Sequence, residues 1–218
     1  MKKSGRYDTS ALIEDQFEPG SHGRVLRNLL GIKRKRDMDE CEAKELLRVL
    51  KELLQTYDVD HRFTAEDICQ MHKLWLGGIY AWAGKTRQVN ISKGNFTFAM
   101  SSQIPNLLKQ LEDGPLKKYT PCRYTENDEV IHALSVVHTE LVLIHPFREG
   151  NGRIARTLAV LMGLQAGLPP LDFDGIRGKK KLEYFAAVQA GMNYNYLPME
   201  QVFKAVISRT LRAGRNRK

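Results

Sequence analysis

At 218 residues and 24.9 kDa the chain fits one domain with room for an extension, and it is long enough to bury a core. Apolar residues are 42% and charged residues 27%, ordinary for a soluble globular protein, and no run approaches the ~20 apolar residues of a membrane span. The net charge of +9, clustered at 33–36, 179–181 and 209–218, suits nucleic acid, an acidic protein or a nucleotide, or simply solvated faces.

Residues 1–37 read as an extension, 38–212 as the main domain and 213–218 as a basic tail. Within the extension, 10–17 predicts a short helix stopping near Pro19-Gly20, and Leu26, Leu29, Leu30 and Ile32 predict a docking segment. From Met38 to Tyr57 one stripe of leucines predicts a helix. Thr64 predicts the N-cap of a second helix, ending near Trp82-Ala83-Gly84. Val89, Ile91, Phe96 and Phe98 around Ser92-Lys93-Gly94-Asn95 predict a short hairpin. A helix over 102–111 tolerates Pro105 in its first turn, and a loop follows through Pro115 and Pro121. Asn127 or Asp128 caps a long apolar helix reaching about Ile144, and another runs from about Gly152 to Ala166. Two more fall near 179–193 and 198–212. The fold class is all-α, with one small hairpin.

The three cysteines, Cys41, Cys69 and Cys122, are far apart and form no C-x-x-C pair. That favours a reducing compartment and argues against a disulfide framework or zinc site. The basic start, Met1 to Gly5, is followed by no apolar stretch, so the expectation is a cytoplasmic protein without a cleaved signal peptide. Delivery as a translocated effector, by a route needing no such signal, stays open.

The densest chemistry lies at His145-Pro146-Phe147-Arg148-Glu149-Gly150-Asn151-Gly152-Arg153, with Arg156 three residues on. Pro146 stops the preceding helix, and Phe147, the one apolar residue of the loop besides proline, anchors it. The next helix begins near Gly150, where unpaired amides and the helix dipole favour an anion and glycine lets it approach. Arg153 and Arg156, three apart, suit two phosphates of a polyphosphate. Glu149 would repel those phosphates unless a divalent ion such as Mg²⁺ lies between them. His145 is the group of the loop that takes a proton near neutral pH. Together these parts suggest nucleotidyl or phosphoryl transfer to a hydroxyl. His132, His138 and His145 lack ligand spacing on one face, which argues against a metal cluster.

The run His145-Pro146-Phe147-x-Glu149-Gly150-Asn151-Gly152-Arg153-x-x-Arg156 resembles the Fic-domain motif HPF-x-[D/E]-GNGR-x-x-R without departure. Trp82-Ala83-Gly84-Lys85 and 89–96 resemble the approach to the flap hairpin of Fic proteins, as do His138 and Glu140 the helix before the motif; the likeness covers roughly 40–210. The resemblance implies the Fic fold: a helical bundle with the motif loop between two central helices and a β-hairpin flap. It implies transfer of AMP from ATP to a Tyr, Thr or Ser hydroxyl of a target protein, or of the enzyme itself. By position His145 would be the base, Glu149 the Mg²⁺ ligand, Gly150, Asn151, Gly152 and Arg153 the anion hole, and Arg156 the γ-phosphate contact. The flap residues Ile91, Ser92, Lys93, Gly94, Asn95 and Phe96 would align the target by strand pairing. Gly152 stands near the position where the phosphorylating Doc-type members carry lysine.

Ser10 to Glu14 also resembles the inhibitory motif [S/T]-x-x-x-E-[G/N] of self-restraining Fic proteins, departing at Asp15. The expectation is that Glu14 pairs with Arg156 and displaces the γ-phosphate. An antitoxin-like regulator or self-association is a further expected partner class. The rival readings are a Fic-fold enzyme with another donor or a deAMPylating activity and, last, a basic nucleic-acid-binding module, for which no reader motif is present.

Overall fold

The computed structural model describes residue 9 and residues 11–215. Met1 to Gly5, Ser10 of the inhibitory pattern and the last three residues of the basic tail lie outside the described residues.

The fold is mostly helical, as expected. Helix α1 (Lys35–Thr56) and α2 (Ala65–Leu76) pack on one another, and a hairpin of β1 (Ser92–Lys93) and β2 (Phe96–Thr97) follows. Next come α3 (Ile104–Leu111), a short α4 (Lys117–Tyr119), α5 (Asn127–Ile144), α6 (Asn151–Gln165), α7 (Lys179–Ala190) and α8 (Leu197–Arg215). Helix α5 is the axis of the bundle: Val130, Ala133, Leu134, Val137, Leu141 and Ile144 are buried, and α3, α6, α7 and α8 contact it. A helix apolar on nearly every side has to be covered on every side, and its C-terminal end therefore delivers His145 into the middle of the molecule.

Several boundaries differ from expectation for local reasons. Helix α1 starts three residues early, where Lys35–Asp39 and Arg36–Glu40 pairs support the first turn. Helix α2 stops at Leu76 before Gly77-Gly78, and turns carry the chain to Gly84. The expected loop after α3 is instead a π-helical turn, Glu112–Leu116, continuous with α4, which a proline in its interior did not suggest. Helix α5 is preceded by Glu126, without the side-chain cap expected of Asn127 or Asp128. Thr64 does cap α2, in a reciprocal box with Asp67.

The expected N-terminal helix over 10–17 is a single 3-10 turn, Ile13–Asp15. Beyond it, Phe17 bridges Leu26, while Val25 and Leu26 are buried in the common core. Asn28 closes this segment: its carboxamide oxygen accepts the amides of Leu30 and Ile32, and its nitrogen donates to the carbonyls of Leu26 and Ile32. Leu29 N donates to Ile79 O at 2.8 Å, so residues 11–32 are strapped across the region between α2 and the flap.

Candidate active site

The turn from α5 to α6 builds the site. His145 caps α5 in the left-handed region, φ 51°, because Pro146 ends the helix and swings the chain away. Phe147 is fully buried and stacks on His72, ring centroids 3.8 Å apart and 11° from parallel. The Asn151 side chain fixes the same residue: its Oδ1 accepts Phe147 N at 2.8 Å and its Nδ2 donates to Phe147 O at 2.7 Å. Asn151 thus braces the loop with its side chain, leaving its backbone amide in the first turn of α6. Gly150, at φ 86°, is the N-cap; a Cβ there would stand 2.6 Å from the Trp75 ring, so no other residue fits. A Cβ on Gly152 would meet open space, which leaves the first turn of α6 accessible.

His72 holds the loop from below. Gly84 N donates to its Nδ1 at 2.8 Å, so Nε2 carries the proton and donates to Glu149 O at 3.0 Å. Burial pushes its pKa down to about 4, which keeps this bridge neutral.

A cavity of about 810 Å³ opens above the turn. His145, Glu149, Gly150, Asn151, Gly152, Arg153 and Arg156 all line it. The hairpin forms one wall through Ile91, Ser92, Lys93, Phe96 and Phe98, and α7 the opposite one through Lys181, Tyr184 and Phe185. Lys93 reaches across, its Nζ 4.1 Å from the centre of the Phe185 ring. The expected hairpin is present, with Ser92 opposite Thr97, Lys93 opposite Phe96, and the turn at Gly94-Asn95. Arg177 also lines the cavity and was not singled out from sequence, whereas the run 179–181 was read as a solvated face first, with a helix cap or the border of a nucleotide pocket as alternatives; Lys181 lines the cavity.

The His145 imidazole donates through Nδ1 to Val142 O at 3.1 Å, which leaves Nε2 with its lone pair. Burial, and behind it the nearby Arg87 charge, hold its pKa down to about 4, so the ring is neutral at physiological pH and able to accept a proton.

The two motif arginines are not equivalent. Arg153 lies 4.5 Å over the Trp75 ring, 2.7 Å from the buried Glu42 and 3.3 Å from Glu149. Tyr80 donates to the other Glu42 oxygen at 2.7 Å. Arg156 is held in the cavity with no carboxylate in ion-pair distance among the described residues. Burial lowers its pKa, and the charge of Arg153 adds to this.

Glu14 does not make the expected pair with Arg156. Its side chain is buried, and Oε1 accepts Gln88 N at 2.6 Å and Val89 N at 3.1 Å. The docked strap carries it to the base of the flap, a destination set by tertiary packing rather than by local pattern. His72, Glu42 and Arg87 were missed in the sequence; the one local signal for them was the Trp82-to-Lys85 segment, two residues short of Arg87.

Glu149 fits a shared divalent ion. Its side chain is 48% exposed, one oxygen accepts Gly150 N at 2.9 Å, and the other has no hydrogen-bond partner among the described residues. One such carboxylate beside an anion cradle is what Mg²⁺ takes when phosphates and water complete its shell.

Residues 62–162 match the family model of the Fic/DOC family. The chain is 33% identical over 152 residues to protein adenylyltransferase VbhT of Bartonella schoenbuchensis, covering 70% of this chain and 31% of that protein. It is 28% identical to the probable protein adenylyltransferase y4lH of Sinorhizobium fredii, covering 78% of this chain and 86% of the relative. Among solved structures it resembles the translocated effector BepC of Bartonella tribocorum with bound AMPPNP (25% identity, TM-score 0.66, 83% of this chain and 91% of that one). It also resembles a Bartonella quintana Fic domain with bound ADP (27% identity, TM-score 0.66, 83% and 89% coverage). The chain spans 31% of the length of VbhT and 24% of that of protein adenylyltransferase fic-1 of Caenorhabditis briggsae, which it also matches.

Proposed function

We infer, from a chain that belongs to the Fic/DOC family through residues 62–162, that it transfers AMP from ATP to a Tyr, Thr or Ser hydroxyl of a protein and releases pyrophosphate. The observation that carries this reading is the pairing in one cavity of a neutral His145, its Nε2 unprotonated, with the N-terminal turn of α6.

His145 Nε2 takes the proton of the target hydroxyl, and the oxygen bonds to the α-phosphorus of ATP. The bond from that phosphorus to the bridging oxygen breaks, and pyrophosphate leaves with the electron pair. Charge gathering on the α-phosphate oxygens is met by the amides at Asn151 and Gly152 and by the positive end of α6. Arg156, without a carboxylate partner among the described residues, binds the far end of the triphosphate in this reading. Glu149 would hold Mg²⁺, which when bound neutralises phosphate charge. Arg153, shared with Glu42 and Glu149, stiffens the nest and lends it part of its charge. The exposed edge of the hairpin 92–97 offers backbone groups to an extended target segment, with Ile91 and Phe96 flanking it.

The likeness to a protein adenylyltransferase, VbhT, and a probable one, y4lH, supports the same reaction here. The reading puts the reaction in a cytoplasm, where ATP is plentiful, either of the producing cell or of one that receives the protein. Among the described residues no helix is long and apolar enough to cross a membrane. Restraint of Arg156 by a carboxylate would come from a regulator or a second copy, and co-purification tests for either.

Incubation with Mg²⁺ and ATP labelled at the α-phosphorus deposits label on protein, whereas ATP labelled at the γ-phosphorus deposits none. The opposite pattern means phosphoryl transfer and overturns the reading.

A further inference from the structure

Arg87 is fully buried, and its donors join the three parts that must be in register for the reaction. Nε donates to His145 O at 2.7 Å, and one terminal nitrogen to Val89 O at 2.6 Å. The other terminal nitrogen donates to Ala99 O at 2.6 Å and Ile144 O at 3.4 Å, and the backbone amide donates to Pro146 O at 2.8 Å. Val89 and Ala99 are the two stems of the hairpin, and Ile144 to Pro146 is the turn that carries the base. One guanidinium therefore sets the flap against His145.

All these acceptors are neutral carbonyls, and a buried cation held only by carbonyls is costly. The charge that favours it is the carboxylate of Glu14, which opposes the effect of burial and of the nearby Arg148. Glu14 arrives on the N-terminal strap and accepts both Gln88 N and Val89 N, the peptide that follows Arg87. The strap is tied to the motif loop as well: Arg148 Nε donates to Glu14 O at 2.9 Å, and Arg148 lies 3.8 Å from Asp15.

We propose that Glu14 is a positioning residue for transfer: through the amides of Gln88 and Val89 and through Arg87 it holds the flap in register with His145. The strap is then part of the working site, and Glu14 promotes the reaction instead of restraining it. This rests on the adenylyl-transfer reading, and it assigns Glu14 a direction of effect opposite to that of a brake.

The test uses the full chain with Mg²⁺ and α-labelled ATP, following label on the chain itself, for Glu14→Ala and Glu14→Gln. Glu14→Ala lowers the rate at saturating ATP about tenfold and leaves KM for ATP within about twofold, because the phosphate cradle is untouched. Glu14→Gln, which keeps an oxygen for the two amides but loses the charge, falls between. A Glu14→Ala rate at or above that of the unaltered chain overturns the proposal, as does a loss confined to KM. Should Glu14→Ala fail to fold, Glu14→Gln decides alone, a rate at or above the unaltered one overturning it. Amide hydrogen exchange gives a readout independent of activity: in either variant Phe98 and Ala99, which do not touch Glu14, lose protection along with Gln88 and Val89. Unchanged protection at Phe98 and Ala99 overturns the proposal even if the unaltered chain transfers no AMP, an outcome that by itself counts only against the adenylyl reading.

Discussion

Phe98 lies flat on the imidazole of His145, with ring centroids 3.6 Å apart and planes 18° from parallel. Phe98 is buried and ends the flap, so the hairpin that would receive the target also roofs the base. Phe98→Ala uncovers the ring. Burial is the main cause of the low His145 pKa, so the pKa rises from about 4 toward the ordinary 6.5. In the proposed reaction His145 works unprotonated, so the acid limb of the pH–rate profile moves up toward neutrality. A limb that stays in place, or moves to lower pH, contradicts this role for Phe98.

Glu42 is 2% exposed and answers both Arg153 and Tyr80. Glu42→Ala takes from Arg153 its nearer carboxylate and leaves the Tyr80 phenol without its partner, and should cost about 3 kcal/mol of stability. Glu42→Gln, which still accepts from Tyr80, should cost less. Urea denaturation of the two variants checks the order.

His72 joins Gly84 N to Glu149 O and stacks on Phe147. His72→Ala removes both bonds and opens a cavity beneath the loop, for an expected loss of about 2–4 kcal/mol. With Glu149 as the proposed Mg²⁺ ligand, binding of Mg²⁺-ATP should weaken too, since Glu149 loses its support. Calorimetry of nucleotide binding on the folded fraction separates this from simple unfolding.

His72 and His138 are both buried, with pKa values pushed down to about 4 by burial. His138 donates through Nδ1 to Ala155 O and accepts the Tyr184 hydroxyl, so it too must stay neutral to keep its bonds. The unfolded chain takes up these protons near pH 6.5 and the folded one does not. Stability from these groups is therefore complete above about pH 6.5 and is lost as pH falls toward 4, at up to about 1.4 kcal/mol per pH unit for each ring. Urea midpoints should drop between pH 7 and pH 5. A flat profile over that interval contradicts the buried neutral rings.

The loop 145–156 was legible because its chemistry is contiguous: proline, glycines and cations fall at fixed offsets along one turn. The helices were legible from leucine and valine periodicity, and the hairpin from its Gly94-Asn95 turn. The supports were not legible. Glu42 sits in a charged helix, His72 in an amphipathic one, and Arg87 in a turn; only folding brings them to the loop. Glu14 shows the limit most clearly. Its local pattern resembled a known inhibitory helix, but the strap that carries it is fixed by Val25, Leu26 and Asn28, and these set its partner.

The central claim is that His145 activates a protein hydroxyl for attack on the α-phosphorus. Intact-mass measurement of the chain after incubation with Mg²⁺-ATP, beside its His145→Ala variant, tests it most directly. An adenylyl adduct is expected on the unaltered protein and none on the variant. An adduct that persists in the variant, or one of phosphate alone, would contradict it.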